Sequence, residues 1–271
     1  MLNDLRKLKG FSVAAGTAES AEGTDEVGIV KDIYIDDARW VIRYMVVTTG
    51  GWLSGRKVLI SPRSINRVAW DDEVVHVNLS QQQVRDSPNI DTDKAVSRQR
   101  EIEYHDCYGY PNDWDGINLW GLGSLPIPWV GVSPDAPRVS RDDEVARMHG
   151  ERADRAHESA VSRLRSGEEV IGYEIMASDG AIGSVENFVF DDESWAIHHI
   201  VVDTRRWLPG RQVLVSPQWI EGISWAEREV HVKITREAIE ASPEYDPSRP
   251  FSSEFDKELY EHYARSVGKA G

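Results

Sequence analysis

The side chains best suited to acid–base or metal chemistry are two aspartate pairs and one histidine pair. Asp36-Asp37 and Asp191-Asp192 could act as paired carboxylates or metal ligands, but aspartate also favours turns because it bonds nearby backbone amides. Both pairs follow strand-like runs, and calcium would need more oxygen ligands than they supply. His198-His199 are neighbours on a predicted strand, so they point to opposite faces and cannot bind one metal together. We predict structural roles for all three pairs and no metal site.

The remaining reactive side chains form no catalytic pattern. His76 and His231 lie between valines, which favours a structural or solvated histidine, with a pH-sensitive contact as the alternative. Cys107 is close to His105 in the sequence, which is weak evidence for a nucleophile. The sequence lacks the Gly-x-Ser-x-Gly, P-loop, Gly-x-Gly-x-x-Gly and His-Glu-x-x-His motifs. We therefore expect a protein that is not an enzyme and has no cofactor.

Tryptophan and arginine side chains are the candidate partner-binding groups, because both residue types are enriched at interface hot spots. The motif Trp-Leu-x-Gly-Arg occurs twice, and its alternative interpretation is a hairpin turn with a solvated cation. The aromatic stretch 104–129 either packs across a barrel or exposes a patch for a partner. The candidates are Trp52, Arg56, Arg205, Arg206, Trp207, Arg211, Trp114, Trp120 and Trp129.

The chain contains two copies of one sequence pattern. Gly28 falls on Gly183, 155 residues later, and this register extends to Pro88 and Pro243 without a gap. We infer an internal duplication, because chance does not produce so many matches at one offset. The matches include Trp40 with Trp195, Val58-Leu59 with Val213-Leu214, Ser61-Pro62 with Ser216-Pro217, and Trp70 with Trp225.

Each copy is predicted to form five or six short antiparallel strands, and closing such a sheet into a small barrel removes its exposed edges. In the second copy, we predict strands over 170–176 and 182–190 and a last hairpin over 220–225 and 230–234. Ser80 and Gln83 have capping-box spacing, and Thr235 is a predicted N-cap. The predicted domains are a first barrel (1–92), an aromatic then charged linker (93–165), a second barrel (166–246) and a helical tail (247–271).

The net charge of the chain limits the classes of partner that it is expected to bind. The chain has 31 basic and 46 acidic residues, a formal charge of −15, which repels nucleic acid and anionic membranes. We expect protein partners, with a homo-oligomer left open. The single cysteine, Cys107, fits a reducing compartment, and the most apolar stretch, 117–132, is too short and too broken to span a bilayer. These features predict a cytoplasmic protein.

Three motifs occur in the same order in both copies. A Gly-x-Val run leads to Asp-Asp, a tryptophan-containing strand ends in Val-Val, and Trp-Leu-x-Gly-Arg-x-Val-Leu precedes Ser-Pro. Over residues 8–90 and 168–245 this pattern resembles the PRC-barrel domain. The resemblance implies a bacterial binding platform, because that domain forms the cytoplasmic part of the photosynthetic reaction centre H subunit and part of a ribosome-maturation factor.

The leading hypothesis is a non-catalytic adaptor or scaffold built on tandem PRC-barrels. The first alternative, which rests on the resemblance alone, is a reaction-centre-H-like component in photosynthetic electron transfer or in membrane-complex assembly. The second is a small-ligand or metal-binding barrel. We also expect the two barrels to pack together as a pseudo-dimer, because duplicated modules often keep an ancestral two-fold contact.

Overall fold

The computed structural model describes residues 1–16, 25–53, 55–90, 98–110, 164–204, 211–249 and 251–267. The chain divides into two compact units, one made of Met1–Asp91 with Arg163–Gly271 and the other of Thr92–Ser162. No helix in the described ranges is both long enough and apolar enough to cross a lipid bilayer. The α-helices within these ranges are α1 (Gln81–Asp86), α2 (Arg98–Tyr108, in the smaller unit), α3 (Gly167–Val170), α4 (Arg236–Glu240) and α5 (Ser253–Val267).

Two seven-stranded sheets make up most of the larger unit, which confirms the prediction of a mainly β fold. We call residues 1–91 the first module and residues 163–271 the second module. The first contains β1 (Leu2–Asp4), β2 (Ser12–Ala15), β3 (Asp25–Asp36), β4 (Val41–Thr49), β5 (Lys57–Ile60), β6 (Ile65–Ala69) and β7 (Val74–Val77). The second contains β8 (Leu164–Ser166), β9 (Glu174–Ala177), β10 (Gly180–Asp191), β11 (Ile197–Asp203), β12 (Gln212–Val215), β13 (Ile220–Ser224) and β14 (Glu229–Val232).

The two sheets have the same strand order. One runs β5-β4-β3-β2-β7-β6 and the other β12-β11-β10-β9-β14-β13. The prediction of purely antiparallel strands is wrong for one pair in each sheet, because β2 pairs with β7 and β9 with β14 in parallel. Parallel pairing needs a long connection, and here the intervening strands of each module provide it.

Among the described residues, strand pairing does not close either sheet into a barrel. The path of the first sheet ends at β5 and β6, and the 3-10 turn Pro62–Ser64 carries the chain from one end strand to the other. The turn Pro217–Trp219 does the same between β12 and β13. The central strands are nonetheless covered on both faces, and every residue of β4 except Thr48 is buried. Among the residues that the structure describes, each sheet is therefore open, and the predicted closure into a barrel is not made by strand pairing.

The two modules exchange their first strands. β1 pairs with β10 of the second module, and β8 pairs with β3 of the first. Leu2 lies opposite Asp191, and Leu164 lies opposite Asp36, so the two contacts use equivalent positions. The expected contact between the modules is thus present, and it takes the form of shared sheets rather than a simple packed interface.

A second reciprocal contact lies at Trp40 and Trp195. Both residues have a left-handed backbone, with φ of 55° and 58°, which is rare for a bulky side chain. The Ile42 amide donates to the Trp195 carbonyl at 2.8 Å, and the Ile197 amide donates to the Trp40 carbonyl at 2.7 Å. The unusual conformation therefore turns each tryptophan carbonyl towards the other module.

The C-terminal helix α5 packs on the second module. Tyr263 is fully buried, and its hydroxyl donates to the Leu214 carbonyl at 2.9 Å. Burial raises the pKa of Tyr263 well above its usual range. The ring of His262 contacts the Ala238 carbonyl at 2.7 Å, which ties α5 to α4.

Candidate functional site

The two arginines predicted to bind a partner hold the ends of short helices. Nη1 of Arg56 donates to the Arg85 carbonyl at 3.1 Å, and Nη2 donates to the Ser87 carbonyl at 2.6 Å. These carbonyls lie at the C-terminus of α1, where backbone acceptors have no partner within the helix. Arg56 therefore supplies both the missing donors and a positive charge at the negative end of the helix.

Arg211 repeats this arrangement in the second module. Its Nη1 donates to the Glu240 carbonyl at 2.8 Å, and its Nη2 donates to the Ser242 carbonyl, at the C-terminus of α4. The alternative interpretation, a cation exposed to solvent at a hairpin turn, does not describe these arginines, because both donate hydrogen bonds to backbone carbonyls. A partner-binding role for the two arginines stays a prediction, but both guanidinium groups already contact the backbone of their own module.

Most other candidate residues lie where the structure gives no description. The backbone of Trp52 belongs to the 3-10 turn Gly51–Leu53, and its side chain is outside the described atoms. Six of the predicted partner-binding residues lie outside the described ranges, and their roles stay predictions: Arg205, Arg206, Trp207, Trp114, Trp120 and Trp129.

The first aspartate of each pair shapes a turn, as predicted. Oδ1 of Asp36 accepts from the amides of Ala38 and Arg39, both at 3.0 Å. Oδ1 of Asp191 accepts from the Glu193 amide at 3.3 Å, and Oδ2 accepts from the Ser194 hydroxyl at 2.9 Å. Burial raises the pKa of Asp191, but hydrogen bonds from the Met1 amino group and from Ser194 outweigh it and lower the pKa overall.

The second aspartate of each pair reaches across to the other module. Oδ2 of Asp192 accepts from the indole of Trp70 and from the amide of Asn3, both at 2.9 Å. In the symmetric position, the Arg165 guanidinium lies 3.5 Å from Oδ2 of Asp37. Arg165 also lies over the ring of Trp225, 4.4 Å from its centre. Sequence reasoning missed this role because it assigned each aspartate pair only to the turn of its own copy.

The comparisons with known proteins agree with this fold. The family model of the PRC-barrel domain matches residues 3–83. Residues 3–83 of this chain are a PRC-barrel domain. An uncharacterised protein of Deinococcus radiodurans is 35% identical over 104 residues, which cover 33% of this chain and 37% of that protein. The chain therefore matches little more than a third of that relative's length.

Neighbouring histidines outside the PRC-barrel domain point to opposite sides of β11. His199 is buried, and its Nε2 lies 3.2 Å from Oδ1 of Asp256 on helix α5. His198 is partly exposed, and burial together with the nearby His199 lowers its pKa. The predicted structural role fits His199, which contacts α5 from within the second module.

The histidines of the last hairpins differ in their neighbours. Within the PRC-barrel domain, Nε2 of His76 lies 3.1 Å from a guanidinium nitrogen of Arg67. Burial and the positive charge of Arg67 lower the pKa of His76. At the equivalent position of the second module, Nε2 of His231 lies 3.2 Å from a carboxylate oxygen of Glu229. One hairpin therefore pairs its histidine with a cation, and the other pairs it with an anion.

Proposed function

We propose that this chain is a non-catalytic protein-interaction scaffold, in which a second module of the PRC-barrel type is joined to the PRC-barrel domain by strand exchange. The observation that carries the proposal is the reciprocal exchange of β1 and β8, which makes the two modules one body. A body of this kind presents two related surfaces at a fixed separation. The negative net charge favours partners with basic faces, and we propose that they are met in the bacterial cytoplasm.

The residues that first suggested chemistry support this proposal by their contacts. The first aspartate of each pair bonds turn amides, and the arginines of the Trp-Leu-x-Gly-Arg motifs bond helix-end carbonyls. These groups stabilise the backbone of their own module, as we expect of structural residues in a binding platform. The photosynthetic alternative rests on the family resemblance, and no contact among the described residues adds to it.

The proposal is tested in two stages with the full chain. Cross-linking in the native cells identifies the proteins bound by the tagged chain, and calorimetry then measures the affinity of each purified partner. We expect Trp207→Ala or Trp52→Ala to weaken binding by about thirtyfold, the effect of losing a hot-spot residue of about 2 kcal/mol. Arg249→Ala is the matched control, because the Arg249 side chain is 83% exposed and pairs only with Asp246 in the ion pairs described.

Unfolding curves separate lost binding from lost folding. A tryptophan variant that unfolds like the wild type but binds more weakly would support the proposal. Equal affinity of every partner for the wild type, both tryptophan variants and the control would contradict the predicted surface. A survey that recovered no specific protein partner in any growth condition would contradict the scaffold role itself.

A further inference from the structure

We propose that the hairpin of β13 and β14 binds one divalent transition-metal ion, such as Zn²⁺, through Glu227, Glu229 and His231. The ligand atoms of these three side chains all lie within 4.8 Å of one another. One imidazole nitrogen and two carboxylate oxygens form a donor set that suits zinc and its first-row neighbours, with solvent completing the coordination. The inference is independent of the proposed scaffold role.

The local structure brings the three ligands to one side of the hairpin. Glu229 and His231 alternate with the buried Val230 and Val232 along β14, so both point away from the core. Their nearest ligand atoms are 3.2 Å apart. Two ligands of a tetrahedral zinc ion lie about 3.4 Å apart, given bonds of about 2.1 Å. The pair therefore needs little movement to share a metal.

The third ligand is oriented by a neighbouring strand. Oε2 of Glu227 accepts from the hydroxyl of Ser224, at the end of β13, at 2.9 Å. Hydrogen bonds of this kind hold metal-binding carboxylates in place. The cation next to Glu227 in the sequence, Arg228, lies over the ring of Tyr173 with its guanidinium carbon 5.2 Å from the ring centre.

The first module shows a cation in the corresponding place. The cross-strand neighbour of His76 is Arg67, whose guanidinium contacts the imidazole at 3.1 Å. The cross-strand neighbour of His231 is Gly222, and a Cβ built at Gly222 would meet no atom within 4 Å. The second hairpin therefore has open space where the first has a positively charged side chain.

The positions of the carboxylates also differ between the two hairpins. Glu229 stands at the position equivalent to Val74, and Glu227 at the position equivalent to the acidic Asp72. The turn of the first hairpin contains Asp71, Asp72 and Glu73, and the corresponding residues of the second are Ala226, Glu227 and Arg228. On the strands that carry the two histidines and their cross-strand neighbours, the first hairpin has Val74 and Arg67 where the second has Glu229 and Gly222. A divalent cation would neutralise the two carboxylates that accompany His231 in the second hairpin.

The test measures Zn²⁺ binding to the full chain without a histidine tag, after removal of metals with a chelator. We expect calorimetry to show one Zn²⁺ per wild-type chain. His231→Ala should weaken the affinity by at least about tenfold, because it removes a ligand. Gly222→Arg should weaken it to a similar extent while leaving all three ligands in place, because it supplies the cation found in the first module.

His76→Ala is the matched control, and it should change the zinc affinity by less than about twofold, because the equivalent histidine contacts Arg67. Thermal unfolding verifies that each variant is folded. The proposal is overturned if the wild type takes up no stoichiometric Zn²⁺, or if His231→Ala and His76→Ala bind it equally well. Unchanged binding by folded Gly222→Arg would also contradict it, because the open space would then have no part in the site.

Discussion

At the scale of single residues, the arginines of the repeated motif act as bridges between a loop and a helix end. Arg211 bonds the Glu240 and Ser242 carbonyls, and Arg56 bonds the equivalent carbonyls of Arg85 and Ser87. Two backbone acceptors in each module therefore depend on one side chain. Lysine could not replace this planar fork, because its ammonium is a compact point charge on a flexible stem.

We expect Arg211→Ala to lower the free energy of unfolding by about 2 kcal/mol, because it leaves two partly buried carbonyls without a charged donor. Arg211→Lys should recover only part of this loss. Urea unfolding followed by tryptophan fluorescence measures both effects. Arg249→Ala, at a solvent-exposed ion pair, should change the free energy by less than about 1 kcal/mol. Equal effects of the Arg211 and Arg249 substitutions would show that the bridge is unimportant.

Gly183 is required by a close approach between strands. A Cβ at this position would overlap the carbonyl oxygen of Asp203, and a Cβ at the equivalent Gly28 would overlap that of Thr48. Since the obstacle is backbone and cannot rotate away, we expect Gly183→Ala to destabilise the protein by about 3 kcal/mol. Gly51→Ala is the control, because a Cβ there meets no atom within 4 Å. Thermal unfolding of both variants tests the prediction, and equal midpoints would refute it.

At the scale of elements, the docking of α5 depends on pH. The hydrogen bond from His199 lowers the pKa of Asp256, and burial opposes this effect without cancelling it. A lowered pKa in the folded state means that the contact stabilises the protein above the unfolded value of about 3.9. This stabilisation is lost as the pH falls through the lower folded value.

We predict that, as the pH falls, α5 opens at a higher pH than the sheet on which it packs. Hydrogen exchange of α5 amides should increase, relative to those of β10, between about pH 5 and pH 3. Asp256→Asn should make this ratio less dependent on pH, and Glu258→Gln, an exposed carboxylate on the same helix, should leave the dependence as in the wild type. A pH dependence identical in all three proteins would rule out the contact as its cause.

Local signals in the sequence predicted several elements well. The capping box of Ser80 and Gln83, the N-cap at Thr235 and the last hairpin are all present. The predicted strand over 170–176 is wrong in its first half. Ser166 caps the short helix α3 there, and Gly172, with φ of +89°, separates that helix from β9. Apolar residues alone could not distinguish a buried helical turn from a strand.

The candidate metal ligands also had a sequence signal, the alternation Glu-x-Glu-x-His along a strand. Adjacent acidic or histidine pairs are the more conspicuous pattern in a sequence, but adjacent residues on a strand face opposite ways. This alternation indicates a metal site only together with Gly222, which pairs with His231 across the hairpin and leaves open space beside it. The register between β13 and β14 determines which residue lies opposite His231, and residue types alone do not reveal that register.

At the scale of the whole molecule, the duplication predicted two similar sheets, but the exchange of strands depends on residues outside the gap-free repeat. β1 and β8 precede the segment that aligns at an offset of 155 residues, and they are only three residues long. Such short strands carry no periodic pattern of their own. Contacts such as that of the Asn3 side-chain amide with Asp192 hold β1 against the other module's sheet.

Strand exchange predicts that the two modules stay together after the chain between them is cut. A specific protease site inserted in the stretch 130–150 would produce two fragments, each lacking a strand that the other supplies. Because separation would expose sheet edges and break the Trp40–Ile197 and Trp195–Ile42 bonds, we expect the cleaved protein to elute from a sizing column at the volume of the intact chain. In urea the fragments should separate, and the uncut protein under the same conditions is the control. Elution of two species of about half the mass in native buffer would contradict the exchange, because it would show that each module completes its own sheet.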